Sequence, residues 1–313
     1  MAISVLVIGI ILLAFGLNEP LFTSNEILFT IFDLITKLGD ENMYIAFFCI
    51  FYFGVNTKFA KKLIIGFTVS LHFTDFLKGI FLDPRPDTNF ITNTNGKADG
   101  YGFPSGHTSG SLSFWGYTFY SFKNEEKKIR LIWQSIAIFI IIMVPISRLV
   151  IGVHDLQDII GGFMLGLLVI TAFMYFEPKI SSMYGTWSLK KKILIGVGIS
   201  LGLWIFSSLM SYLLLINNLD WIGITNPDWT GFQQSIYELS ISCGILMGVA
   251  IAFPLENKFV KYDPNKMDLK KTLLATVIGL VITFGAYFLL SFLSSMVLLL
   301  VRKLNTFLPL KFH

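Results

Sequence analysis

The sequence predicts an all-α, polytopic membrane bundle: a six-span core followed by about three further spans. Three observations predict it. Of 313 residues, 54% are hydrophobic and only 14% charged, well outside the usual balance of a soluble domain. The apolar residues come in runs of roughly 18 to 25, the length a helix needs to cross a bilayer. Lysines crowd into alternate connections, which is an orientation signal and excludes a nucleic-acid partner as the reason for the +4 net charge.

Taken in order, the apolar runs mark nine spans, at about 3–18, 43–57, 61–82, 105–122, 131–152, 156–176, 191–216, 235–254 and 272–300. The first lacks a basic start and a cleavage site, and reads as a retained span. Leu21 to Leu38 sets Leu21, Ile27, Leu28, Ile31, Leu34, Ile35 and Leu38 at helical spacing, broken by Glu26, Asp33 and Lys37. That pattern suits a helix lying in the interface. Two domains are expected: 1–177 as the core and 178–313 as additional spans.

Lys58, Lys61 and Lys62 follow the second span; Lys123, Lys127, Lys128 and Arg130 follow the fourth. Lys179 and Lys190 to Lys192 follow the sixth, and Lys258, Lys261, Lys266, Lys270 and Lys271 the eighth. The intervening loops hold Glu19, Glu26, Asp40, Asp83, Asp87, Asp99, Asp220 and Asp228. The positive-inside rule then puts the amino terminus in the cytoplasm and the odd-numbered loops outside, against the dissent of Arg302, Lys303 and Lys311. Cys49 and Cys243 fall inside apolar runs and read as buried free thiols. Gly162 with Gly166, Gly198 with Gly202 and Gly244 with Gly248 allow close helix approach, within one chain or in a homodimer seam.

Three polar islands interrupt the apolar pattern, all on the outer side. Ionisable groups at a membrane edge are costly and mark function by default. Lys78 sits near the end of the third span, and Arg85 follows between Pro84 and Pro86, which stop the helix. Snorkelling at the membrane edge would explain both; so would a phosphate, since lysine offers a point charge and arginine a planar fork. Asp75 and His72 lie on the preceding turns of the same span and read as a structural polar pair.

The second island, Pro104-Ser105-Gly106-His107, opens directly into an apolar helix. Such a helix start presents free amides to an anion, with Gly106 allowing close approach and His107 able to protonate a leaving oxygen. Capping by Ser105 is the plainer reading. The third island runs from Ser147 through Arg148 and His154 to Asp158. Asp158 is one helical turn beyond His154, so its carboxylate can hold one imidazole nitrogen and leave the other as a nucleophile. Asp155 reads as a helix-start carboxylate.

Lys78 with six residues before Arg85-Pro86, the Pro-Ser-Gly-His run, and Ser147-Arg148 with five residues before His154 and three before Asp158 resemble the three signatures of the type 2 phosphatidic acid phosphatase superfamily. The likeness covers roughly residues 1 to 177, and every signature residue is present. Glu41-Asn42-Met43-Tyr44 and Gly100 to Gly106 are similar to the sphingosine-phosphate and glucose-6-phosphate phosphatase branch. The resemblance implies a phosphatase that needs no metal or cofactor and works through a phosphohistidine on His154, oriented by Asp158. His107 is then the acid and base, and Lys78, Arg85, Ser105, Gly106 and Arg148 hold the phosphoryl oxygens. The expected partners are membrane lipid and a phosphorylated lipid or isoprenoid substrate. A soluble sugar phosphate, phosphotransfer to an alcohol, or a non-catalytic scaffold are the alternatives. Glu238, in the eighth span, reads as a bundle residue with site lining as the second reading.

Overall fold

A computed structural model describes residues 25–86, 100–216 and 229–307. The expected span at 3–18, loop residues 93–99, and Glu19, Asp87, Asp99, Asp220 and Asp228 lie outside the described residues. Every regular element within them is helical, as a backbone in hydrocarbon requires if each N–H and C=O is to be satisfied locally.

Helix α1, Glu26–Thr36, starts at Asn25, whose side chain accepts from the amides of Ile27 and Leu28. Ile27, Leu28, Ile31 and Leu34 are exposed on it while Thr36 is buried, the character expected of an interfacial helix. Helix α2, Glu41–Cys49, widens into a π-helical turn over Ile50–Val55. Then come α3 (Thr57–Phe81), α4 (Gly106–Ser121), α5 (Lys127–Val150), α6 (Leu156–Gly185), α7 (Leu189–Ile216), α8 (Trp229–Leu255) and α9 (Leu269–Phe307). Among the described residues six helices are long and apolar enough to cross a membrane, α3 and α5 to α9.

Two expected spans are shorter than that: the stretch at 43–57 and α4, which has 16 residues. The reason for α4 is legible in its side chains. Thr108, Ser109, Ser111, Ser113, Phe114, Trp115 and Thr118 are all fully buried, so protein surrounds most of it, with Phe119 and Tyr120 exposed near its end. Two of its hydroxyls are matched by α3, with Ser113 Oγ donating to Ser70 Oγ at 2.6 Å and Ser109 and Thr74 sharing a 2.7 Å bond, and Thr108, Ser111 and Thr118 bond within or just before α4. Paired this way, buried hydroxyls cost little.

The described residues form two compact units. One holds residues up to Tyr44 together with Lys61–Tyr262; the other holds Ile45–Ala60 and the chain from Asp263 onward. Helices α7 and α8, which follow residue 177, therefore belong to the unit that contains the three polar islands. His72 of α3 is tied to both, its ring nitrogens at 3.2 Å from Ser242 and 3.1 Å from Ser207. In the second unit α9 packs on the Ile50–Val55 turn, Gly279 against Phe53.

Of the three glycine pairs, one makes the close approach within the chain. A Cβ on Gly162 would sit 2.5 Å from the carbonyl oxygen of Ser105, and one on Gly166 2.8 Å from that of Ser109. Helix α6 thus lies directly on the backbone of α4. At Gly198, Gly202, Gly244 and Gly248 a Cβ would meet nothing within 4 Å. Gly162→Ala should therefore destabilise the protein by about 1–3 kcal/mol through overpacking. Gly198→Ala should leave thermal stability in detergent nearly unchanged, and the pair of melting curves checks both.

Candidate active site

The turn between α5 and α6 is built for one histidine. Gly152, at φ +76°, turns the chain after α5, and the Asp155 side chain caps α6 by accepting from the Asp158 amide at 2.9 Å. That cap leaves His154 and Asp158 one turn apart on the same side. His154 Nδ1 and Asp158 Oδ2 are 2.7 Å apart with both side chains essentially inaccessible. Arg85 NH1 donates to the opposite nitrogen, Nε2, at 3.1 Å. An arginine can only donate, so Nε2 carries the lone pair and Nδ1 carries the proton given to Asp158.

The neighbours of this pair come from every island. Gly102 lies against the carboxylate, where a Cβ would be 2.8 Å from Asp158 Oδ2; a side chain there would displace the acid. The amide of Ser105 donates to the Asp158 carbonyl at 3.0 Å, tying the start of α4 to the start of α6. Ser105 makes no side-chain cap; its hydroxyl accepts from Thr108 at 3.1 Å instead. The first-turn amides of α4 are accordingly not consumed by a capping side chain. A Cβ on Gly106 would be 3.9 Å from Lys78 Nζ, so the lysine ammonium stands at that same helix end.

The two arginines are held in different ways. Arg85 also donates from Nε to the Gly100 carbonyl at 3.2 Å and from NH1 to the Val153 carbonyl at 3.1 Å. Arg148 NH1 donates to Thr36 Oγ1 at 3.1 Å, whereas its buried Nε has no hydrogen-bond partner among the described residues. An unmatched buried donor of a charged group is expensive.

The electrostatics follow from the crowding. Burial first, and then the positive charges of Arg85, Arg148 and Lys78 and the nearby His107, drive the His154 pKa well below the ordinary imidazole value. Its lone pair is therefore available across the neutral range. Asp83, in the turn after α3, moves the other way, up to about 6, through burial and then the charge of Asp155. Its side chain accepts from Gln157 Nε2 at 3.3 Å, and its carbonyl accepts from the Gly102 amide at 2.8 Å.

All eight residues singled out in the sequence thus lie around one end of α4. Four others were not read as part of the site. Asp40 is 3.0 Å from His107 Nε2, and Gly39 lies against that ring. Thr36 holds Arg148, and Asp83 braces the loop at Gly102. Asp40 and Asp83 appeared in the sequence only as outer-loop charges. Their proximity to the islands on the same membrane side was the available signal. Glu238 also comes to these residues, its Oε2 3.4 Å from Lys78 Nζ, a contact that suits both readings of it.

This is a membrane-embedded helical bundle with a carboxylate-oriented histidine set among cations. A family model described as the PAP2 superfamily matches residues 59–182. Phosphatidylglycerophosphatase B of Bacillus subtilis is 31% identical over 158 residues, 47% of this chain and 73% of that protein. Sphingosine-1-phosphate phosphatase 1 of Mus musculus is 25% identical over 198 residues, 61% of this chain. The chain spans 44% of that mouse protein's length. A crystal structure of a PAP2-type phosphatidylglycerolphosphate phosphatase from Bacillus subtilis matches with a TM-score of 0.46 and 22% identity, covering 57% of this chain and 96% of that one. The chain belongs to the PAP2 superfamily.

Because Asp83 binds its proton more tightly folded than unfolded, it costs stability as pH rises from about 4 through 6. Asp83→Asn should therefore raise the melting temperature at pH 7.5 relative to wild type and have little effect at pH 4.5. Equal shifts at the two pH values would contradict the assignment.

Proposed function

We propose that the protein is a phosphatase that hydrolyses a lipid or isoprenoid phosphate at the extracytoplasmic membrane face, without a metal, through a phosphohistidine on His154. The observation that carries this reading is the His154 imidazole itself. Asp158 holds its Nδ1 proton and the Nε2 lone pair is directed at Arg85, with Lys78, Arg148 and the amino end of α4 around it.

In the first step Arg85 exchanges His154 for a phosphoryl oxygen, and Nε2 attacks phosphorus. The N–P bond forms as the P–O bond to the alcohol breaks, and the departing oxygen takes a proton from His107. Asp158 stabilises the imidazolium character that develops. In the second step His107 removes a proton from water, the resulting hydroxide attacks phosphorus, and the N–P bond breaks to release inorganic phosphate. Burial and then the charge of Arg148 disfavour the protonated His107 that the first step uses, and Asp40, 3.0 Å from Nε2, acts against them. Lys78, Arg85, Arg148 and the amides of Gly106 and His107 stabilise the charge spread over the equatorial oxygens, the main task in phosphoryl transfer. The unmatched Arg148 Nε gains its partner from one of those oxygens.

Depth in the membrane supports a lipid substrate. Lys78, at the last turn of α3, and Arg148, at the last turn of α5, sit at helix ends, where the head group of a membrane lipid resides. The basic residues of the connections lie at the opposite ends of these helices, which supports a cytoplasmic amino terminus. The names of the relatives, lipid phosphate phosphatases among them, agree in class.

Purified protein should release phosphate from a lipid phosphate in the presence of a chelator. His154→Ala should lower the rate at least about a thousandfold. His107→Ala should be nearly as slow on an alkyl phosphate; on a p-nitrophenyl ester, whose leaving group needs no proton, it should release one burst of p-nitrophenol and then turn over slowly. Since the nucleophile is the unprotonated ring, the acid limb of kcat/KM should fall below about 6.5. Full activity in His154→Ala would end this reading.

A further inference from the structure

We propose that Glu238, carried on α8 and braced by Gln234, is a specificity-determining residue that makes the site favour a phosphate monoester over a diphosphate. The proposal rests on the reading of Lys78 as a phosphate-binding group.

Glu238 lies outside the segment matched by the family model, residues 59–182, yet reaches the centre of the cation cluster. Its Oε2 is 3.4 Å from Lys78 Nζ. Its Oε1 accepts from Gln234 Nε2, one turn back on α8, at 3.1 Å. The same Oε1 lies 3.9 Å from where a Cβ on Gly100 would stand, and a Cβ there would be 3.2 Å from Gln234 Cγ. Gly100 is in turn the residue whose carbonyl holds Arg85 Nε at 3.2 Å. Glu238 is therefore fixed between the lysine and the loop that positions an arginine, with its side chain 24% exposed, and the buried Asp75 of α3 shares a hydrogen bond with it.

Such an anion does two things. It holds the Lys78 ammonium at the amino end of α4 when no phosphate is bound. It also repels any negative charge beyond what the surrounding cations neutralise. A phosphate monoester brings up to two negative charges; a diphosphate ester brings a third, on a second phosphoryl group that must extend from the first. At an effective dielectric constant of about 20, a unit charge within about 8 Å of the carboxylate is repelled strongly enough for a discrimination of about tenfold or more. Glutamine in place of Glu238 keeps the shape and the contact with Gln234 while removing that charge. Aspartate keeps the charge and shortens the reach.

The test is the binding of orthophosphate and of pyrophosphate to the purified full chain in detergent, read by calorimetry and by thermal shift. In Glu238→Gln the affinity for pyrophosphate relative to orthophosphate should rise about tenfold. In Glu238→Asp the ratio should stay within about threefold of wild type. A merely structural role for Glu238 would lower melting temperature and weaken both ligands together. An unchanged ratio in Glu238→Gln, or no binding of either anion to wild type, overturns the proposal. Phosphate release from lipid phosphates by the wild-type chain is measured alongside. Binding that shifts as described with no turnover would refute the phosphatase reading and leave this one standing; turnover with an unshifted ratio would do the reverse.

Discussion

The arrangement depends on one hydrogen bond, from His154 Nδ1 to Asp158 Oδ2 at 2.7 Å. A neutral imidazole has one proton and one lone pair, and this bond decides which nitrogen has which. Keeping an acid and a ring together in the interior requires the rest of the local structure. Asp155 caps the helix that spaces them, Gly102 leaves room for the carboxylate, and the Ser105 amide fastens α4 to the same turn. The cations complete the constraint. Burial, and then their charge, keep the ring unprotonated, and the ring's lone pair holds Arg85.

Much of this was legible in the sequence. A lysine, two arginines and two histidines at the ends of apolar runs are too costly to be incidental, and the four-residue spacing from His154 to Asp158 specified their contact. The helix at Glu26–Thr36 was legible in its amphipathic spacing as well. What the sequence could not give were pairings set by tertiary packing. Asp40 meets His107 because Gly39 lets the turn after α1 lie on the ring, and Thr36 meets Arg148 for the same reason. Nothing in the local pattern of residues 36–40 distinguishes such contacts from ordinary loop polarity. Helix α4 shows a related limit. Its composition marked an apolar segment, but not that Ser109 and Ser113 would pair with α3 or that protein would cover most of it.

The helices after residue 177 are part of the same problem. Sequence periodicity identified α7 and α8 as spans and could say nothing of their purpose. In the fold they bind His72 through Ser207 and Ser242 and bring Glu238 to Lys78. A lysine of the segment matched by the family model and a carboxylate from outside it thus meet in one contact.

The central claim is that His154 becomes phosphorylated, and trapping the phosphoenzyme tests it most directly. Wild-type protein quenched in base during turnover of a radiolabelled lipid phosphate should carry label that is stable to base, labile to acid, and located on His154. Slowing the second step with His107→Ala on an activated ester should increase the labelled fraction. Label on any other residue, or turnover with no label in that variant, would contradict the account.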